Sequence, residues 1–147
     1  MANLEKQLNK RNSFESVEAA VVVSVLRTNE LFQHKFGKFF REHGLNQPQY
    51  NVLRILYGEG DRLPSLEIAN RMITVVPAIT GLIDKLERKG LVKRERSESD
   101  RRVWYVMLTQ KGQKLVEEMR KPNTAMHKRL VGHLTKKEAD QLLRLLE

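Results

Sequence analysis

The sequence contains no cysteine. That absence excludes disulfide staples, cysteine-ligated metal sites, thiol nucleophiles and thiol redox sensing. Long apolar runs are missing too. The longest near-apolar stretch, residues 19–26, falls far short of the roughly 20 residues that cross a bilayer, so no membrane partner is expected. The opening residues Met1-Ala-Asn-Leu-Glu-Lys are charged and lack the apolar centre of a secretory leader, so a cytoplasmic protein is expected. There is no Gly-x-Ser-x-Gly, no phosphate-binding loop, no His-Glu-x-x-His and no pair of carboxylates on a plausible pocket loop. The reading is therefore no enzyme, no catalytic residue and no cofactor. Gly58-Glu-Gly60 is a lone short loop that reads as a helix stop rather than a phosphate cradle. His34, His43, His127 and His133 show no ligand spacing, so no metal site is expected. Internal repeats and low-complexity tracts are absent.

What is present is one domain's worth of chain, 147 residues with 40% apolar and 31% charged side chains. That balance reads as folded rather than disordered. The formal charge is +9, and it is uneven. Residues 14–70 sum to −1, whereas 71–109 and 110–147 carry +4 each and 1–13 carries +2. A basic excess suits a polyanionic partner, because neutralising phosphates releases condensed counterions. It also suits ordinary solvated helix faces, so position has to decide.

Residues 12–43 read as one long helix. Asn12-Ser-Phe-Glu15 resembles a capping box and Gly44 a C-terminal stop. Phe14, Val17, Val21, Val25, Phe32, Phe36 and Phe39 recur at helical steps. A helix of about 30 residues is on the order of 45 Å long, more than a small domain needs. Part of its apolar stripe is expected to pack on a second copy of the chain. Asn46-Gln-Pro-Gln49 opens a second helix, with Asn46 as cap, Pro48 in the first turn and Gln49 at the third helical position. Two shorter helical patterns follow, residues 64–72 and 77–89. In the second, Ile79, Leu82, Ile83 and Leu86 form one face, and Arg88 and Lys89 suit the negative end of the helix dipole. After Gly90 the period changes to 2, predicting strands over 91–96 and 103–108 joined by a polar, charged tip. Thr109 caps another helix, which Pro122 is expected to kink or break. Thr135-Lys-Lys-Glu138 is a capping box for the last, Leu-rich helix.

The element order predicts a mostly α fold with a small two-stranded β-wing: a winged helix-turn-helix with flanking helices. An α-helix fits the major groove and presents its N-terminal residues to base edges. The recognition helix is expected over 75–89, with Thr74, Val76, Pro77, Ala78, Thr80, Gly81, Lys85 and Arg88 toward DNA. Thr80 can bond a base edge or phosphate, Ala78 can meet a thymine methyl, and Lys85 and Arg88 suit phosphates. That set is thin for direct base reading, so shape, phosphate and wing contacts are expected to carry much of the affinity. In the wing, 91–108, Lys93, Arg94 and Arg96 line the strand leading in, and Arg101 and Arg102 sit at the turn. Arginine is drawn into a narrow minor groove by its negative potential. Asp100 is expected to pair locally with Arg102 and pin the turn.

Ile68-Ala-Asn-Arg-Met, residues 77–94 (Pro-Ala-Ile-Thr-Gly-Leu-Ile-Asp-Lys-Leu-Glu-Arg-Lys-Gly-Leu-Val-Lys-Arg), Asp100-Arg-Arg and Leu108-Thr-Gln-Lys-Gly112 together resemble the MarR family of bacterial regulators. The resemblance covers essentially the whole chain. It implies one domain over 1–147, with a winged helix-turn-helix lobe at 46–109 and dimerisation helices at 12–43 and 110–147. It further implies an obligate homodimer on a pseudo-palindromic operator in double-stranded DNA, repression, wing arginines (Arg101 and Arg102) in the minor groove, and release by a small aromatic or lipophilic effector. Phe36, Phe40, His43, Tyr50 and Arg54 lie where the resemblance places the ligand cleft, although aromatics at this spacing also suit a core. Two departures stand out. Ile73-Thr-Val75 replaces the common Gly-Val-Ser before the recognition helix, and Gly81 falls where many members carry a larger polar or basic residue. A winged helix serving as a protein-binding adaptor is the rival reading, and the basic tip argues against it.

Overall fold

The computed structural model describes residues 2–9, 12–74 and 78–147. The chain forms two compact units, Met1–Gly44 and Leu45–Glu147.

The first unit holds α1 (Ala2–Gln7) and α2 (Val17–Glu42). The long helix starts at Ser16, not at the Asn12 capping box expected from sequence. Ser16 is extended and its Oγ accepts from Ala19 N at 3.1 Å. The reason is local: the Phe14 N–H is given to the Glu5 carboxylate at 3.2 Å, and a serine followed by Glu18 in the first turn is a full N-terminal signal in itself. Down the far end of α2, Phe36 and Phe40 stack at 5.9 Å and Phe39 lies 4.9 Å from the His43 ring. Its first half is different. Val17, Val21, Val22, Val25 and Leu26 are at least half exposed. An open groove of about 1020 Å³ runs along this half, lined by Val17, Ala20, Val21, Val25, Leu31 and His34 among others.

The second unit runs α3 (Gln47–Glu59), β1 (Leu63–Pro64), α4 (Ser65–Asn70), α5 (Ile79–Arg88), β2 (Val92–Arg96), β3 (Trp104–Leu108), α6 (Gln110–Val131) and α7 (Lys136–Leu146). Asn46 and Gln49 make the reciprocal capping box at the start of α3, and Gly60 ends it with φ 70°. Val52, Leu53 and Leu56 of α3, Ile68 of α4, Ile83 and Leu86 of α5, Val106 of β3 and Met119 of α6 are buried together as the core of this unit. A side chain such as Leu53 or Leu86 contributes about 1.5–3 kcal/mol by leaving water. The sheet is antiparallel in the order β1-β3-β2, with Arg94 opposite Val106 and Arg96 opposite Trp104. The two-stranded wing predicted from sequence is thus extended by β1, whose Leu63 pairs with Val106. Two residues are too few to show an alternating pattern.

Helix α6 begins at Thr109, whose hydroxyl accepts from Gly112 N. It passes through Pro122 without the break that was one of the two expected outcomes. Contacts on both sides hold it to α3. Tyr57 donates its hydroxyl to Glu117 at 3.3 Å, and Asn123 Nδ2 donates to the Tyr50 hydroxyl at 3.3 Å. Tertiary anchoring therefore offsets the hydrogen bond that proline cannot make. Thr135 and Glu138 cap α7 as predicted.

Candidate nucleic-acid interface

The sequence 64–89 folds as two helices across a turn. Ile68 anchors the first, α4, and Leu82, Ile83 and Leu86 anchor the second, α5, all on the core side. At 100° per residue the opposite face of α5 carries Gly81, Lys85 and Arg88. Ala78, Thr80, Lys85 and Arg88 are exposed, Gly81 is half-exposed, and Thr74 is exposed in the preceding turn. Helix α5 starts at Ile79 with Ala78 as a cap that makes no side-chain bond. Val76 and Pro77, also expected toward DNA, lie outside the described residues. Lys85 has no hydrogen-bond or ion-pair partner among the described residues, and Arg88 makes only a long bond, 3.4 Å, to the Asp84 carbonyl. Both cations are left to solvent or to a ligand.

The hairpin tip is built by short polar side chains. Ser97 is buried, its Oγ accepts from Asp100 N at 3.3 Å, and Ser97 N and Val103 N close the turn on Val103 O and Asp100 O. Asp100 Oδ1 accepts the backbone N–H of Arg102 at 2.9 Å. Arg96 Nε donates to the Arg101 carbonyl at 2.7 Å, with its guanidinium 5.7 Å from the Trp104 ring. The sequence pairs Asp100 with Arg102; the contact uses the Arg102 backbone rather than its guanidinium. Arg101 and Arg102 are exposed, and among the described residues neither guanidinium has a partner. The turn is pinned while its charges stay available.

Arg94 behaves differently from the other wing cations. It reaches back from β2 to α5, with Nη1 2.8 Å from Asp84 and Nη2 2.6 Å from Glu87. The hydrogen bond to Glu87 leads the effects that raise its pKa further above the ordinary arginine value. Expected toward DNA, it also ties the wing to the helix. Lys93 pairs with Glu95 at 3.1 Å on the exposed strand face. Arg62, which sequence pattern does not single out, lies 3.4 Å from Glu95 and 4.8 Å from the Tyr105 ring centre. Only the pairing of β1 with β3 puts it there, so no local signal could have found it.

A tight joint ties this surface to α6. Thr109 Oγ1 donates to Gly90 O at 2.7 Å, Thr109 N to Leu91 O at 3.1 Å, and Lys111 Nζ to Lys89 O at 2.8 Å. These are the carbonyls of the turn between α5 and β2, beginning at Lys89, the residue that caps α5. A Cβ on Gly112 would run into the Leu91 carbonyl oxygen.

The residues expected around a ligand divide between the units. In the first, Phe40 is buried on Phe36, and His43 Nδ1 donates to Phe39 O at 2.9 Å. In the second, Tyr50 is buried, and burial pushes its phenol pKa up. Arg54 Nη2 donates to Asn51 Oδ1 at 3.3 Å. The Asn123 Oδ1 beside Tyr50 is buried with no hydrogen-bond partner. Among the described residues no group of three or more His, Asp or Glu could hold a metal ion, and no helix is long and apolar enough to cross a membrane.

Comparison with known proteins agrees with this geometry. The MarR family profile matches residues 45–104. The homoprotocatechuate degradative operon repressor of Escherichia coli is 27% identical over 128 residues, covering 87% of this chain and 86% of the repressor. A MarR transcription factor from Planctomyces limnophilus is 35% identical, with a TM-score of 0.71 over 91% of this chain and 98% of that one. MepR from S. aureus, solved in complex with DNA, is 25% identical, with a TM-score of 0.75 over 91% and 95% of the two chains. The chain belongs to the MarR family and is a DNA-binding transcriptional regulator.

Proposed function

We propose that the protein is a homodimeric repressor of a pseudo-palindromic operator, acting in the bacterial cytoplasm. Residues 46–109 form the DNA-reading lobe, and the helices within 12–43 and 110–147 make the dimer. In each half-site α5 enters the major groove, with Thr74, Ala78, Thr80 and Gly81 toward the bases and Lys85 and Arg88 on phosphates. Lys93, Arg101 and Arg102 follow the backbone into the neighbouring minor groove, and Arg94 acts through its hold on α5.

The observation that carries this reading is the wing tip. Two guanidiniums without a protein partner among the described residues stand on a turn fixed by Ser97 and Asp100. A protein-docking wing has no need of such a pair. The exposed valines of α2 and the exposed Leu142, Leu143, Leu145 and Leu146 of α7 support the dimer, since faces of this kind are uncommon on monomers. The name of the E. coli relative, a repressor, supports the sign of regulation.

Binding is tested by selecting duplexes from a random library and measuring affinity against salt. A symmetric site should emerge. Affinity should fall on the order of a thousandfold between about 50 and 200 mM salt if several phosphates are neutralised per dimer. A folded dimer that selects nothing overturns the reading.

Release by a small aromatic acid or phenol is the second part of the proposal. A thermal-shift screen of such compounds tests it. If none stabilises the protein and none weakens DNA binding, the effector is abandoned.

A further inference from the structure

The outward ridge of α5 has a gap in it. Leu82, Ile83 and Leu86 are buried, and Gly81 sits on the far side of the helix wheel, in line with Arg88 seven residues on. A glycine usually reports a demand of the fold. Gly44, Gly60 and Gly90 have φ near +70°, and at Gly112 a side chain would strike a backbone carbonyl. Gly81 meets neither demand. Its φ is not in the left-handed region, and a Cβ there would find nothing within 4 Å among the described residues. Glycine inside a helix lowers helix stability relative to alanine, and no close neighbour among the described residues requires it here. Lys85 and Arg88, on the same ridge, are free to face outward.

We propose that Gly81 is a specificity-determining position for DNA reading. The proposal rests on the assignment of α5 to the major groove. With no side chain at the crest, the backbone of α5 seats closer to the groove floor, and the flanking Thr80 and Ala78 reach base edges that longer neighbours would hold away. The base pair under Gly81 is chosen by shape. A thymine methyl fills the hollow, an apolar contact that distinguishes T·A from the other pairs in the major groove. A Cβ at this point pushes the helix out and removes that choice.

The test uses the full chain and the duplex that wild type selects from a random library. Gly81→Ala should melt at or above the wild-type temperature, yet bind the selected duplex about tenfold more weakly, the scale of one mismatched base pair. A selection repeated with Gly81→Ala should lose the thymine preference at one base pair per half-site. Gly58→Ala is the control. Gly58 is also helical, with a Cβ position open for 4 Å around, and lies in α3, away from the α5 ridge. It should melt higher and bind as wild type does. The proposal is overturned if Gly81→Ala binds as tightly as wild type, if it binds more weakly with unchanged preference at every position, or if Gly58→Ala is weakened as much. If wild type selects no duplex, the DNA-reading function itself falls, and the role of Gly81 with it.

Discussion

Arginines on one hairpin do different work, and the difference lies in what each guanidinium touches. Arg94 is the more enclosed. It holds Asp84 and Glu87 of α5 and so fixes the angle between strand and helix. Replacing it with alanine removes charge-assisted bonds at a partly buried site. The expected loss is about 1–3 kcal/mol of stability, read by urea denaturation. Among the described residues, Arg101 and Arg102 brace nothing with their side chains. Alanine at either should leave the urea midpoint unchanged and weaken DNA binding at all sequences. The slope of log affinity against log salt should flatten by about 1 for each phosphate no longer neutralised. A midpoint that moves with Arg101, or stays put with Arg94, would reverse these roles. Residue type and position point to all three arginines as DNA ligands. The Arg94 contact has a signature of its own: Asp84 and Glu87 stand three apart on one helix face, and a turn at Gly90 brings the following strand back across it. A carboxylate pair so placed is a socket for a returning arginine.

Among the elements, those with strong end signals were legible in the sequence. Asn46 with Gln49, Thr109, and Thr135 with Glu138 each cap the helix they were expected to cap. The hairpin strands fell within a residue of expectation because their period changes abruptly after Gly90. What was not legible depends on distant partners. The start of α2 moved because Glu5 takes the Phe14 N–H. Strand β1 exists only by pairing with β3. Helix α6 survives Pro122 because α3 holds it on either side. Of the residues proposed for DNA, the sequence could name the exposed set but not tell which cations the fold had already claimed. Gly112 offers a test at this scale. Alanine there has to displace the Leu91 carbonyl at the foot of the wing. The expected cost is about 1–3 kcal/mol of overpacking, measured by chemical denaturation. A variant as stable as wild type would mean the joint can open without penalty.

The whole molecule carries its least satisfied surfaces at the chain's two ends. The first half of α2 and the leucines of α7 are apolar and exposed, while the core of the second unit is closed. Charge in the groove of α2 should therefore dissociate the dimer without unfolding the lobe. Val25→Glu is expected to run as a monomer by light scattering, keep its helical circular dichroism, and bind a single half-site. The loss of tethering is worth roughly a hundredfold or more in affinity for the full site. A variant that stays dimeric would move the interface elsewhere.

The joint at Gly90, Thr109, Lys111 and Gly112 bears on what such a protein tolerates in its target. With the carbonyls of the turn between α5 and β2 taken by Thr109 and Lys111, helix and wing are tied to one support. Lengthen the spacer between the two half-sites by one base pair, and the second is turned by about a tenth of a helical repeat. A loosely hung reader would swivel to follow the change in phase. In the proposed dimer the correction has to come from the seam between the two copies, which would make spacer length part of what is recognised.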